Sequence, residues 1–345
     1  MSKYHLTVLK SLLIVFILTV MASCGREPAH IGFAFYNVEN LFDTIDDPLI
    51  NDNSYLPDSK ISWNTERYFT KLDHLAEVMT NTDTISGFPV LFGLCEIENI
   101  DVLKDLVNHP KLKGAKYSII HHDSPDERGI DVALLYQEKY FTPIQHSFLT
   151  IHFPFNPDSK TRDILYAKGL LAKKDTLHIF INHWTSRWGG REETDPMRRF
   201  TGKFLRSVTD SILRLNSEAN ILIAGDLNDN PTDPSVAEEL GALPVSMESA
   251  NRQELYNLSL AAYAKGKGTL YYKSWDMFDQ IIVSGNLLLK ANAVNISKTE
   301  QQIIKYDWML FQPENGPARP NRTASGAYYG GYSDHLPVFI DLEVR

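Results

Sequence analysis

The chain has 345 residues, of which 43% are hydrophobic and 22% are charged, and its formal net charge is −9. This composition is typical of a folded globular protein with a substantial core, organised as one large domain or as two ordinary ones. The acidic balance argues against a protein that coats polyanions nonspecifically, although it leaves room for a local basic cleft.

The N-terminal segment has the pattern of an export signal. Lysines give it a positive start, residues 11–20 form an apolar run that is short for a membrane-spanning helix, and small residues precede Cys24. Its Ala-Ser-Cys ending resembles a bacterial lipoprotein signal, in which cleavage leaves Cys24 as the lipidated N-terminus. We therefore expect an exported protein with a lipid anchor in a membrane, in the periplasm or at the cell surface. Its parts would be a signal peptide over residues 1–23, a tether over 24–30 and a folded domain over 31–345.

Strand and helix patterns then alternate along the chain. Alternating, aromatic-rich residues predict a strand over 31–38, and a polar loop over 43–64 separates it from an amphipathic helix over 65–80. Residues 90–95 are an apolar run that predicts a buried strand, with Cys95 as a core residue rather than a nucleophile. We further predict a short helix over 101–108 and strands over 117–122, 130–137, 164–172 and 177–182.

The C-terminal half begins with the clearest helix of the chain. Asp195 caps this helix and Pro196 suits its first turn. One apolar stripe runs along it, formed by Phe200, Phe204, Val208, Ile212 and Leu215. Next we predict a strand over 221–225, helices over 234–240 and 254–265, and strands over 278–284 and 337–344. Because no compositional break interrupts this alternation, it favours one layered α/β domain with helices outside the sheets.

The strand over 221–225 ends in residues that can do chemistry. Asp226 and Asn228 follow it, and they point the same way because side chains alternate along an extended chain. The carboxylate can take a proton from water or hold a metal, and the amide can donate hydrogen bonds to an anionic oxygen. Such a pair is also common at an ordinary junction between a strand and a turn.

The same pattern recurs at other predicted strands. At five of these strands, polar side chains that can act in catalysis or metal binding lie at the end of the strand or just before it. They are Asn37 with Glu39, Glu96, His183, Asp279, and Ser333-Asp334-His335. Each has a structural explanation of its own, such as a turn acid or a hydrogen-bonded core histidine. One shared catalytic cleft explains all six sets better than six coincidences do.

In this order, the polar motifs resemble those of the endonuclease/exonuclease/phosphatase superfamily, which has the fold of deoxyribonuclease I and of apurinic endonucleases. The resemblance runs from about residue 31 to the end of the chain, and it is carried most strongly by Gly225-Asp226-Leu227-Asn228 and Ser333-Asp334-His335. It implies a four-layer α/β sandwich of two packed mixed β-sheets flanked by helices. It also implies a metal-dependent phosphodiester hydrolase in which an activated water attacks phosphorus in line.

The family pattern implies a metal site. Glu96 would be the main carboxylate ligand of a divalent ion, with Asn37 and Asp334 close by. Oxygen ligands of this kind suit Mg²⁺, or else Mn²⁺, better than zinc. In nucleases of this type a carboxylate commonly orients the first histidine, here His183, and Asp131 is the candidate for that position.

The resemblance also implies catalytic roles. The base that activates the water is Asp226 in some members, whereas in others it is His335, oriented by Asp279, and the sequence leaves this choice open. His183 would hydrogen-bond a phosphate oxygen or protonate the leaving group, as histidine can near neutral pH. Asn228 would fix the phosphate.

The substrate expectation is nucleic acid. Segments 37–43 and 182–187 resemble elements of secreted bacterial nucleases. Arg187 and Arg191 place positive charge beside the cleft, although arginines are also common on solvent-exposed helix faces. Trp184 and Tyr332 are candidates to stack on bases, although such rings also pack in protein cores. We therefore expect a monomeric, membrane-anchored, Mg²⁺-dependent nuclease that cleaves DNA or RNA. The alternatives are a phosphatase or phosphodiesterase acting on a phospholipid, an inositol phosphate or another small metabolite, and a non-catalytic binding lipoprotein.

Overall fold

Two seven-stranded mixed β-sheets form the body of the protein, in a computed structural model that describes residues 29–246, 248, 250–289 and 292–345. The predicted signal peptide and the predicted lipidation site, Cys24, lie outside the described residues and stay predictions. Within the described part of the chain, no helix has both the length and the hydrophobicity needed to cross a membrane.

The strands are numbered in chain order. They are β1 (Ala29–Leu41), β2 (Leu91–Ile97), β3 (Tyr117–His121), β4 (Asp131–Gln137), β5 (Phe141–Leu149), β6 (Ile164–Leu171), β7 (Asp175–His183), β8 (Asn220–Asp226), β9 (Ala242–Pro244), β10 (Leu255–Asn257), β11 (Leu270–Tyr271), β12 (Trp275–Asp276), β13 (Asp279–Ser284), β14 (Val294–Ile296), β15 (Gln302–Ile303), β16 (Leu310–Phe311), β17 (Arg319–Pro320) and β18 (Val338–Val344). The α-helices are α1 (Thr65–Thr80), α2 (Ile100–Asn108), α3 (Arg191–Leu215), α4 (Leu260–Ala264) and α5 (Gly285–Leu288).

The two sheets mix parallel and antiparallel neighbours. The first has the order β14-β18-β1-β2-β4-β3, with β15 paired to β18, and the second has the order β5-β6-β7-β8-β13-β10-β9. In each sheet one parallel pair lies near the centre, β1 with β2 in the first and β7 with β8 in the second. Two short hairpins, β11-β12 and β16-β17, stand outside the large sheets.

Three hydrophobic clusters define four layers. Phe33 and Phe35 of β1 pack between the sheets against residues of the second sheet such as Ile181. The alternate residues of β1, such as Tyr36, face the opposite way and pack with α1 and α2, because successive side chains of a strand point to opposite faces. The third cluster joins the outer face of the second sheet to α3, for example through Leu205. The layers are therefore helices, sheet, sheet and helix, which confirms the predicted α/β sandwich.

Some predicted elements differ from the observed ones. Helix α3 starts at Arg191 rather than at Asp195, because Glu192 and Glu193 suit the positive N-terminal end of the helix and add a turn ahead of Pro196. The predicted helix over 254–265 is instead a strand, β10, followed by the short helix α4, because β10 pairs with β13 at the sheet edge. Strand β5 was not predicted, because it is largely exposed and lacks the alternating apolar pattern of a half-buried strand.

Candidate active site

The polar strand ends meet at one edge of the sandwich. The carboxyl ends of the parallel neighbours β1 and β2 lie together, and so do those of β7 and β8. Strand β13 runs antiparallel to β8, which pairs Asp279 with Asp226. Hydrogen bonds and close contacts bring together most of the predicted metal and catalytic residues, namely Asn37, Glu96, His183, Asp226, Asn228, Asp279 and His335.

Asn37 ties the two sheets together at this edge. Its Nδ2 donates to Oε1 of Glu96 at 3.1 Å and to Oδ2 of Asp226 at 3.0 Å. Its Oδ1 accepts the backbone N–H of Glu39 at 2.9 Å. In the structure Asn37 is thus a donor that positions two carboxylates, and its place among the metal ligands stays a prediction.

The backbone is left-handed at four non-glycine residues of these strand ends, Glu39, Asn40, Glu96 and Asn228. Glu96 has φ 65° and lies where the register between β2 and β4 shifts. This irregularity lets Cys95 and Ile97 pack into different cores although they are two residues apart. It also directs the Glu96 carboxylate to the edge, where the backbone N–H of Asn40 donates to Oε2 at 2.9 Å. Such conformations cost roughly 1–3 kcal/mol each and occur where surrounding structure enforces them, commonly at functional sites.

His335 and Asp279 form a buried ion pair. Nδ1 of His335 lies 2.7 Å from Oδ2 of Asp279, and its Nε2 lies 3.7 Å from Oδ2 of Asp226. Burial by itself lowers the pKa of His335, but the Asp279 and Asp226 carboxylates outweigh it and hold that pKa well above its usual value. In the opposite sense, burial raises the pKa of Asp226 to about 6, with the positive charge of His335 working against the rise. Asp226 is thus a carboxylate poised near neutral pH beside an imidazolium.

His183 is the neutral histidine of the site. Burial lowers its pKa well below the usual value, and the positive charges of Arg162 and Arg128 lower it further. Its Nε2 lies 3.9 Å from Glu96 Oε1 and 3.8 Å from Asp226 Oδ2, too far for direct hydrogen bonds. Its Nδ1 is buried, and no residue described by the structure hydrogen-bonds to it. His183 can therefore donate or accept a proton at a phosphate that enters between these groups.

A buried arginine that was not predicted as a site residue, Arg162, holds the segment around His183. Arg162 donates to the carbonyl oxygens of His183 and Trp184 at 3.2 and 2.5 Å. Asp126 balances its charge at 2.9 Å, with both side chains almost fully buried. Arg162 lies in the Thr-Arg-Asp sequence just before β6. The only signal of its role in the sequence was that charged residues directly precede a strand.

Asn228 and Arg187 form the next part of the edge. The backbone N–H of Asn228 donates to Asp226 Oδ1 at 2.9 Å, and its side-chain amide donates to the Trp184 carbonyl oxygen at 3.0 Å. Arg187 Nε donates to the Asn228 carbonyl oxygen at 2.8 Å, and Asp229 and Asp233 hold the guanidinium at 2.8 and 2.6 Å. These contacts fix Arg187 beside the cleft, whereas Arg191 contacts Asp233 at the exposed periphery.

Asp334 is paired with an arginine that no sequence motif indicated. Arg322 Nη2 lies 2.6 Å from Asp334 Oδ2, and its Nε donates to the buried Glu39 at 3.2 Å. Burial and the nearby Asp334 raise the pKa of Glu39 to about 7, against the lowering effect of Lys71 and Arg322. Burial also lowers the pKa of Lys71 to about 8. A charged network therefore anchors the loop before β18 to the end of β1.

The residues present fit a divalent cation. Glu96, Asp226, Asp279 and Asp334 supply hard carboxylate oxygens of the kind that Mg²⁺ and Mn²⁺ prefer. Donor atoms of Asp226, Asp279 and His335 lie within 4.8 Å of one another, but His335 and Asp279 already bond to each other. Oδ1 of Asp279 is buried without a hydrogen-bond partner in the described part of the chain. Glu96, with 15% of its side chain exposed, is more accessible than Asp226 at 3% and Asp279 at 0%, which favours it over these two as the principal ligand.

A groove opens beside Asn228 and Asp334, with a volume of about 1100 Å³. Three arginines face it, Arg187, Arg319 and Arg322. Its walls are the segment after β7, the two short hairpins and the loop before β18. The rim carries exposed aromatic rings, Trp188 (90% exposed), Tyr272 (77%), Tyr329 (58%) and Phe311 (47%).

Several predicted residues lie outside this cleft. Trp184 is 2% exposed and donates its indole N–H to Asn182, so it cannot stack on a base. Tyr332 stacks on His74 of α1 with ring centroids 4.3 Å apart, because the loop before β18 folds back onto that helix. Asp131 accepts the backbone N–H of Ser124 and faces His121 rather than His183, so it does not orient the catalytic histidine.

Nearly the whole chain matches a known protein family in sequence. A sequence model described as the Endonuclease/Exonuclease/phosphatase family matches residues 32–344. A search of curated protein sequences gave no match.

Solved structures show the same fold at low sequence identity. An endonuclease/exonuclease/phosphatase family protein from Bacteroides thetaiotaomicron superposes with a TM-score of 0.56 and 15% identity, covering 92% of this chain and 99% of its own. D. rerio TDP2 in complex with a single-strand DNA product gives a TM-score of 0.54 and 15% identity, with 91% and 99% covered. The human Nocturnin catalytic domain with a bound sulfate anion gives 0.54 and 14%, with 92% and 95% covered.

Proposed function

The chain belongs to the endonuclease/exonuclease/phosphatase family, and we propose that within it this protein is an exported, membrane-anchored, Mg²⁺-dependent nuclease. Family membership makes it a metal-dependent hydrolase of phosphate ester bonds. The choice of nucleic acid as substrate and of Mg²⁺ as cofactor belongs to the proposal, and so do export and lipid anchoring.

The ion would be held by Glu96, with Asp334 as a second carboxylate. When bound, Mg²⁺ supplies charge neutralisation at the phosphate oxygens and at the leaving oxygen. Asn37 fixes the Glu96 carboxylate through its 3.1 Å hydrogen bond, so the ligand is held in place before the ion arrives. Arg322, already bonded to Asp334, adds a positive charge beside this carboxylate.

Asp226 is the base that best fits this geometry. Its pKa of about 6 leaves it ionised near neutral pH yet basic enough to take a proton from water. His335 is the weaker candidate, because its raised pKa keeps it protonated. As an imidazolium it stabilises the negative charge that develops on the phosphate, with Asp279 holding its orientation. The neutral His183 hydrogen-bonds a phosphate oxygen, and Asn228 borders the groove beside it.

The observation that carries the choice of nucleic acid is the groove of exposed rings and arginines beside Asn228 and Asp334. Arginine guanidinium groups match phosphate oxygens, and exposed aromatic rings stack on bases whatever their identity. Bases in a duplex are covered by their neighbours, so rings on a rim favour unpaired strands. The likeness to D. rerio TDP2, solved with a single-strand DNA product, supports this choice.

Hydrolysis assays on the purified full chain test the proposal. The substrates are plasmid DNA, single-stranded DNA, RNA, sphingomyelin and inositol phosphates, each with Mg²⁺ and with EDTA. The variants are Asp226→Asn and His335→Ala, with Asp73→Asn as a surface control in an ordinary Asp–His pair. We expect Mg²⁺-dependent cleavage of nucleic acid that is lost in both site variants and retained in the control.

Two results would overturn the proposal. Cleavage of sphingomyelin or an inositol phosphate with nucleic acid left intact would keep the family assignment and replace the substrate. Binding of these ligands without cleavage of any would favour the non-catalytic lipoprotein.

A further inference from the structure

A second cluster of metal-ligating side chains shares no residue with the active site. It consists of His121 at the end of β3, Asp131 at the start of β4, and Asp123 in the loop that joins them. One donor atom from each residue lies within 4.8 Å of the other two. Asp131 was singled out from the sequence, but the structure leaves it without a role at His183.

The contact between His121 and Asp131 is not an ordinary hydrogen bond. Both side chains are 2% exposed, and His121 Nε2 lies 3.6 Å from Asp131 Oδ2. In contrast, the His335–Asp279 and His109–Asp73 pairs are in direct contact at 2.7 and 2.9 Å. Nε2 of His121 has no hydrogen-bond partner among the residues that the structure describes. A buried imidazole nitrogen left unsatisfied in front of a carboxylate costs free energy unless a further group binds it.

The spacing suits an ion between the two atoms. Donor atoms that bind one Zn²⁺ at about 2.0–2.2 Å each, in tetrahedral geometry, lie roughly 3.3–3.6 Å apart. Asp131 is prepared for this role, because its Oδ1 accepts the Ser124 N–H at 2.8 Å and leaves Oδ2 facing His121. Asp123 Oδ1 lies 3.8 Å from the other ring nitrogen, Nδ1 of His121, and its side chain is 77% exposed, so this carboxylate is free to turn toward an ion at Nε2 and to connect it with solvent.

We propose that His121, Asp123 and Asp131 bind one divalent transition-metal ion, with Zn²⁺ as the best match to one imidazole and two carboxylates. Solvent completes the coordination. Imidazole ligands favour transition ions, whereas the oxygen-rich active site favours Mg²⁺. The two sites would therefore select different ions.

This ion would support the active site indirectly, through a loop. It joins both ends of the loop over 122–130, and that loop carries Asp126. Asp126 holds Arg162, which in turn holds the carbonyl oxygens of His183 and Trp184. The role of the site is accordingly structural: its ion stabilises the loop that supports the catalytic histidine.

Zn²⁺ titration calorimetry tests the site in the full chain without a polyhistidine tag. Excess Mg²⁺ is present throughout to occupy the active site. The variants are His121→Ala and Asp123→Asn, and His109→Ala is the matched control, since His109 also pairs with an aspartate but in direct contact. We expect the wild type and the control to bind one more Zn²⁺ than either site variant, and only the first two to gain thermal stability on adding Zn²⁺.

The exposed Asp123 keeps the test valid if His121→Ala fails to fold. Equal Zn²⁺ stoichiometry in the wild type and in folded Asp123→Asn would overturn the proposal. So would a thermal shift with Zn²⁺ that is the same in all variants. Neither outcome depends on which phosphate ester the enzyme hydrolyses.

Discussion

Replacing Asp279 by Asn should remove the positive charge of His335 at neutral pH. His335 is buried, which lowers its pKa, and the carboxylates of Asp279 at 2.7 Å and Asp226 at 3.7 Å, with a smaller effect of Asp334, keep that pKa well above its usual value. A charge-assisted hydrogen bond contributes about 1.5–3 kcal/mol. Because 1.4 kcal/mol corresponds to a factor of ten, we expect kcat to fall about 10- to 150-fold.

The pH profile of Asp279→Asn distinguishes this reasoning from general damage. Activity that requires protonated His335 is lost as pH rises through its pKa, so the alkaline limb should move toward neutral pH in the variant. The acid limb reflects ionisation of Asp226, whose pKa is about 6, and activity is lost as pH falls through that value. Kinetics on a fluorescent oligonucleotide across the pH range measures both limbs, with Asp73→Asn as the control. An unchanged kcat with an unmoved alkaline limb would refute the role given to His335.

Three other changes have expected outcomes. Asp126→Ala leaves the buried Arg162 without its counter-charge at 2.9 Å, so urea denaturation should show a loss of about 3–5 kcal/mol, and a loss near zero would contradict the bracing role. Glu98 is buried, which raises its pKa from 4.5 to about 8, so its contribution to wild-type stability is lost as pH rises between these values, and thermal melts of Glu98→Gln should show a smaller decline over that range than the wild type. Trp188→Ala should raise KM for single-stranded DNA about 5- to 150-fold, the effect of about 1–3 kcal/mol of base stacking. The same measurement on Phe69→Ala, an exposed ring outside the groove, should give the wild-type KM, and equal values for both variants would argue against stacking.

The sequence determined the fold class and the members of the polar edge. Alternating apolar residues indicate β1 and a continuous apolar run indicates β8, so both buried strands could be located from the chain alone. Polar residues that directly follow such buried strands lie at the sheet edge, where the chain leaves the core. For this reason the sequence is sufficient to predict that Glu96, His183 and Asp226 meet.

Sequence patterns did not locate the elements that depend on a partner. Strand β5 lies at a sheet edge and is largely exposed, so its sequence lacks a pattern of buried apolar residues. Residues 255–257 form strand β10 because they pair with β13. The local sequence of β10 favours a helix, but hydrogen bonds with β13 stabilise the strand instead.

The tertiary structure alone decided the chemistry of several residues. Trp184 is buried by packing on its own sheet, and Arg322 reaches Glu39 across 283 positions of the chain. Asn37 reaches carboxylates of both sheets, Glu96 and Asp226, which lie 59 and 189 positions away in the chain. Local sequence sets which residues lie at a strand end, whereas orientation, exposure and charge state arise from contacts between distant segments, which the order of residues does not display.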